Sequence, residues 1–222
     1  MNSDIHHLPE IWDPEPRWPA LIAVLGAGGL YAALPSYLIF GPHWLFPALV
    51  IVLLVPTVIS HSSGHHDVNR WFGIALSLVI TIGMIVSVVL LILALPTHRE
   101  TPTHLLFSAA SLWVTNILVF ALWYWRLDAG GPHGRDKRVA HTEGAFLFPQ
   151  MTLPHQLKSK RSGRLWSPNF VDYLFLAFNT STAFSPTDVP VLARWAKLVT
   201  MLQSLISLTV LVLLAARAVN IL

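Results

Sequence analysis

No cysteine occurs in the 222 residues. That excludes disulfides, thiol nucleophiles and thiolate metal sites, and leaves the redox compartment open. Charge is also scarce: Asp, Glu, Lys and Arg make up 11% of the chain, against about 25% in an ordinary soluble domain. No charged residue falls between Arg17 and Asp67, or between Arg70 and Arg99. G-x-S-x-G, H-E-x-x-H and phosphate-loop patterns are missing too. An enzyme therefore has no recognisable nucleophile, metal or nucleotide motif here, and no cofactor is expected.

Apolar residues fill the gap. The chain is 54% hydrophobic with a mean hydropathy of +0.60. Its charge-free runs exceed the roughly 20 residues that a spanning helix needs. Backbone groups in hydrocarbon must be hydrogen-bonded within their own segment, so such runs form helices. The pattern predicts an all-α integral membrane protein with five transmembrane helices, at about 20–40, 44–60, 71–95, 104–126 and 191–220. Trp18, Trp44, Trp71, Trp123, Trp125 and Trp195 lie at or near the ends of these runs, where an aromatic belt is expected. Pro35, Pro47 and Pro56 are expected to kink or shorten the first two helices. The organisation reads as a tail 1–17, a four-helix region 18–126, a Gly/Pro-rich basic connecting loop 127–166, and a final unit 167–222.

The first 17 residues hold Asp4, Glu10, Asp13 and Glu15 with Arg17. That is the wrong charge for a signal-peptide n-region, so the first apolar segment is expected to stay. The net charge of +3 does not imply nucleic acid, because the basic residues cluster at the ends of apolar runs. With five spans, only Arg99 and Arg217 of the 14 Lys and Arg fall on the side opposite the N-terminus. The positive-inside rule then places the N-terminus and loop 127–166 in the cytoplasm and the C-terminus outside.

Before the last run stands "SPNFVDYLFLAFNT", with Asp172 its only charge. Ser167 is the expected N-cap and Pro168 the first helical residue. A helix over 168–181 would be about 20 Å long, too short for a hydrocarbon core about 30 Å thick. Followed by a polar turn and a long apolar helix, it reads as a re-entrant, pore-helix-like segment; a helix lying in the interface is the alternative.

Residues 166–220 resemble the pore half of tetrameric cation channels, where a pore helix, a filter loop and an inner helix follow in this order. "STAFSPTD" stands where potassium channels have T-V-G-Y-G-D. The resemblance implies a pore or filter role for Thr180, Ser181, Thr182, Phe184, Ser185, Thr187 and Asp188. It also implies a homo-oligomer, a tetramer if a pore forms, and an inorganic cation as the permeant species. Both filter glycines are absent and Pro186 intrudes. A stack of backbone carbonyls needs φ values that Phe184 and Ser185 resist and Pro186 forbids, so strict potassium selectivity is not expected. Asp188, followed by Val189 and Pro190, also reads as the N-cap of the last helix. Gln203, Ser204 and Ser207 give that helix one polar stripe, for packing or for lining water. Asn116, beside Thr115, is expected to hydrogen-bond between helices.

The motifs "TNILVFALWYWRLDAGGP" (115–132), "FLFPQMT" (146–152), "FVDYLFLAFNTSTAFSPTD" (170–188) and "ARAVNIL" (216–222) extend the resemblance. Through them the whole chain is similar to a group of uncharacterised bacterial multi-pass membrane proteins. That likeness implies a bacterial plasma (inner) membrane and no particular substrate. The rival to a pore is a non-conducting scaffold or accessory subunit that binds a partner or anionic lipid through loop 127–166. A transporter is disfavoured, since no inverted repeat and no mid-helix acid is visible. His61, His65, His66 and Asp67 cluster, but Gly64 and two serines break the helical spacing that a metal site would use, and no metal is expected.

Overall fold

The computed structural model describes residues 15–62, 66–94, 102–138, 141, 143–153, 166–182 and 188–219. The described residues are helical, with a single isolated bridge between Phe146 and Val191. The helices are α1 (Trp18–Ala32), α2 (Leu45–Ser62), α3 (His66–Ala94), α4 (Pro102–Leu127), α5 (Gly131–Asp136), α6 (Phe170–Thr182) and α7 (Arg194–Val219).

Three stretches are long and apolar enough to cross a membrane: Val68–Ala94, Thr103–Asp136 and Arg194–Ala216. α1 is shorter than the expected 20–40. Its 15 residues span only about 22 Å. Pro35 lacks an N–H and the chain leaves the helix ahead of it, through a 3-10 turn at Ser36–Leu38. Part of the irregular stretch packs inward: Leu34, Leu38 and Ile39 are buried, while Phe40 and Trp44 are exposed. The Leu38 carbonyl accepts a bond from Ser87 Oγ of α3, at 2.8 Å. That bond ties the turn to α3. α2 carries Pro56 within it.

α4 is the centre of the bundle. It packs against α1, α3, α6 and α7, and Leu112, Phe120, Ala121 and Tyr124 are buried along it. α2 packs chiefly on α3. The start of α1, the end of α4 and the starts of α6 and α7 meet at one end of the bundle, where residues 143–153 and 166–169 cover them.

Two helix starts differ from the sequence expectation. α6 begins at Phe170, with Asn169 rather than Ser167 as its cap. Asn169 Oδ1 accepts the Val171 amide at 2.8 Å, and Asp172 Oδ2 accepts the Asn169 amide at 2.7 Å. That reciprocal pair is a capping box with Asp in the usual Glu position, and it accounts for the one charge in an apolar helix. α7 begins at Arg194, so Asp188 is too far away to cap it. Residues 189–193 are instead held extended against the end of the bundle: the Leu147 amide donates to Pro190 O at 2.9 Å and the Leu192 amide to Ala145 O at 2.8 Å.

Candidate functional site

Two polar clusters stand out in an otherwise apolar molecule, one inside the bundle and one capping its end.

The inner cluster joins α4, α6 and α7. Gln203 is fully buried. Its Nε2 donates to Ala177 O at 2.7 Å and to Ser181 Oγ at 2.8 Å, and its Oε1 accepts from Tyr124 OH. Ser207 Oγ donates to Ser181 O at 2.7 Å and accepts from Trp113 Nε1 at 3.1 Å. Asn116 Nδ2 reaches Gln203 O at 3.3 Å and Ser181 Oγ at 3.4 Å. An unpaired amide or hydroxyl at this depth is costly. The cluster lowers that cost by pairing most of its groups with one another, Asn116 Oδ1 being left without a partner among the described residues, and in doing so it ties α6 to both neighbours.

The sequence-derived candidates therefore separate. Ser181, Gln203 and Ser207 come together in this joint. Ser204 sits on the outer, exposed side of α7, among exposed Met201, Leu205 and Leu208. Thr180 is half-buried and bonds back to Leu176 O at 2.8 Å. Thr182 is exposed at the end of α6 and bonds back to Phe178 O at 3.0 Å. Asp188 is exposed near the cap. Phe184, Ser185 and Thr187 lie outside the described residues, as do the side chains of residues 61–67.

The end cluster begins with the turn after α4. Ala129, Gly130 and Gly131 have φ of 52°, 82° and 81°, which L side chains rarely adopt. A Cβ on Gly131 would also stand 2.7 Å from Arg126 O. This turn brings Arg135 back under the helix it follows. Its Nη1 donates to Trp125 O at 2.9 Å and to Asp128 O at 3.0 Å, filling carbonyls that the end of α4 leaves open. Its Nη2 pairs with Glu15 at 2.9 Å. Arg17 pairs with Asp136, whose Oδ1 accepts the Glu15 amide at 3.0 Å. Trp125, which the belt pattern placed at the lipid interface, is buried and donates its indole N–H to Glu15.

Asp128 is completely buried at the middle of this end. It accepts the Ala145 amide and the Tyr173 hydroxyl at 2.6 Å. His141 Nε2 lies 3.7 Å from it, with the ring edge-on to Phe148 and Trp166. Burial pulls the His141 pKa down to about 4, although Asp128 opposes that shift. Cap residues Glu15, Asp128, Arg135, Asp136 and His141 were not among the sequence candidates. A usable signal was present: the acids of the N-terminal segment match the basic run after "LDAGGP", and pairing between them folds the tail onto the loop.

Comparison with protein-family models, curated proteins and solved structures finds no match.

His141, Asp128 and Glu15 could carry protons, but the carboxylates are taken up by amide, hydroxyl, indole and guanidinium donors. Among the described residues no group of three or more His, Asp or Glu is arranged to hold a metal ion. The chemistry on offer in both clusters is cohesion: one fastens α6 at depth, the other fastens the tail and loop across the end.

Proposed function

We propose that the chain is a channel-like integral membrane protein. In this reading α6 and the return 183–188 form a re-entrant hairpin, and copies assemble with their hairpins around a shared axis. The permeant species is an inorganic cation, passed with weak selectivity. The observation that carries the reading is the depth of α6. Ser181, at its far end, bonds Ser207 of α7, 13 residues beyond Arg194, or about 20 Å along that helix. Residues 189–193 are already back at the capped end. The chain therefore enters and leaves from the same end.

The C-terminal end of a helix carries partial negative charge. Here it points to mid-bundle, where it favours a cation, beside the exposed hydroxyl of Thr182. Phe184, Ser185 and Thr187 belong to the return, and Asp188 contributes negative charge at its mouth. We take α1, α2 and the stretch 33–44 between them, of which Leu34, Leu38 and Ile39 pack into the bundle, as two further crossings, which makes five spans. The charge bias puts the capped end in the cytoplasm.

A non-conducting scaffold is favoured by one observation: the Gln203–Ser207 stripe is consumed in bonds to α6 and α4, so it does not offer its polar atoms to water. Flux of Na+ and K+ through liposomes holding the purified protein separates the two. Weakly selective cation flux, lowered in Asp188→Asn, supports the pore. Silence from well-folded four-fold oligomers supports the scaffold. Strong preference for K+ over Na+ contradicts the argument from the missing glycines.

A further inference from the structure

Among the described residues, two arginines of the end cluster are paired with carboxylates and a third, Arg126, is not. Arg135 goes to Glu15, Arg17 to Asp136, and Asp128 takes an amide and a hydroxyl. Arg126 makes no ion pair or hydrogen bond among the described residues. Its Nε is buried without a partner, and the charge that acts on it is that of Arg17, of the same sign. The guanidinium does not hang in water. It lies against α3 at Gly73, where an added Cβ would collide with Nη1 and Cζ. Its Cζ is 5.6 Å from the centroid of the Trp125 ring. Arg17 Cζ is 5.8 Å from the same ring, and Arg17 Nε is likewise buried without a partner. Arg70, exposed, lies one turn before Gly73 on α3.

The depth of this notch is marked by its neighbours. Trp18, next to Arg17, is 63% exposed, and Trp71, next to Arg70, is 72% exposed. Exposed tryptophans at the ends of apolar helices sit at the level of lipid headgroups.

We propose that the notch formed by Gly73, Trp125 and the Arg126 and Arg17 guanidinia is a binding site for the phosphate of an anionic lipid headgroup. A guanidinium presents its N–H groups as a planar fork that matches two phosphate oxygens, and Arg does this where Lys supplies only a point charge. A basic pocket between helix ends, at the headgroup level of the basic side, is where such lipids are held. The lipid supplies a negative charge that no described residue gives Arg126. The site requires only that the capped end lie at a membrane surface, and it holds whether or not the hairpin conducts.

The test uses the full chain in detergent, with thermal unfolding followed as phosphatidylglycerol, phosphatidylcholine, glycerol phosphate or inorganic phosphate is added. A ligand that binds only the folded state raises its stability. Phosphatidylglycerol is expected to raise the Tm of the wild type above the phosphatidylcholine value. Arg126→Gln should lose more than half of that increment, and Arg126→Lys should retain part of it. Gly73→Ala keeps every charge but evicts the guanidinium; the obstructed group is the end of a flexible side chain, so the helix contact itself survives. It too should lose more than half of the increment. If Arg126→Gln does not fold, Gly73→Ala and Arg126→Lys carry the test. A full increment in Arg126→Gln and Gly73→Ala would overturn the site. Equal protection of the wild type by inorganic phosphate or glycerol phosphate would overturn the lipid assignment.

Discussion

Replacing Gln203 with Leu tests whether the inner cluster is a joint or a pore lining. The substitution nearly conserves volume and removes three hydrogen bonds: two donated, at 2.7 and 2.8 Å to Ala177 O and Ser181 Oγ, and one accepted from Tyr124. Interhelical side-chain bonds in a bilayer average about 0.6 kcal/mol, so three are worth about 2 kcal/mol. The fully buried Tyr124 then has a hydroxyl without its acceptor, which adds about 1 kcal/mol or more. The expected loss is therefore about 2–4 kcal/mol, read as a shifted equilibrium unfolding transition in mixed micelles. A double-mutant cycle with Tyr124→Phe should return a coupling of about 0.5–1.5 kcal/mol. Had Gln203 faced water in a pore, Leu would cost little stability and change only conduction. A loss under about 0.5 kcal/mol, the scale of an ordinary surface substitution, with no coupling to Tyr124, would refute the joint.

Three further outcomes follow from the capped end and the start of α6. His141 is held neutral when folded, with its pKa lowered to about 4 from an unfolded value of 6.5; the unfolded chain therefore binds more protons between those values, and stability falls as pH drops from about 6.5 towards 4. His141→Phe should flatten that acid limb in Tm-versus-pH scans, and an unchanged limb would refute the assignment. Asn169→Ala removes the box that starts α6 and should cost about 1 kcal/mol, measured as a lower unfolding midpoint. Asp128→Ala strips the Ala145 amide and Tyr173 hydroxyl of their buried acceptor and should cost about 3 kcal/mol; limited proteolysis within residues 143–153 should speed up with it.

Much of the membrane architecture could be read directly from the sequence. α3, α4 and α7 announce themselves as charge-free runs, because nothing but a helix satisfies backbone in hydrocarbon. The short apolar helix before α7 was legible from length alone. Helix starts were less so. Ser167-Pro168 and Asp188-Val189-Pro190 both have the composition of caps, yet the caps that form depend on where packing lets the helix begin. Asn169 wins because Asp172 can reach back to it, and α7 waits until Arg194 because residues 189–193 are bonded to residues 145–147. The polar stripe of α7 was visible as Gln203 and Ser207, but its direction was not, since sequence spacing places residues on one face without saying what that face meets. The end cluster was the hardest to see. Loop 127–166 looks like a solvated basic connector until the positive φ run at 129–131 turns Arg135 back toward Glu15, and a contact across 120 positions leaves no local trace.

The most direct test of the hairpin uses the absence of cysteine, which makes single-cysteine labelling clean. Thr182→Cys, Ser207→Cys and Thr152→Cys would each be treated, in sealed vesicles of known orientation, with a membrane-impermeant thiol reagent applied to one side at a time. Thr152 is exposed at the capped end and reports which side that end faces. A re-entrant hairpin requires the Thr182→Cys variant to label from the same side as the Thr152→Cys variant, through the water path of the hairpin, while the Ser207→Cys variant stays protected within the joint. A silent thiol at position 182 beside a fully labelled one at position 152, or a freely reactive thiol at position 207, would contradict it.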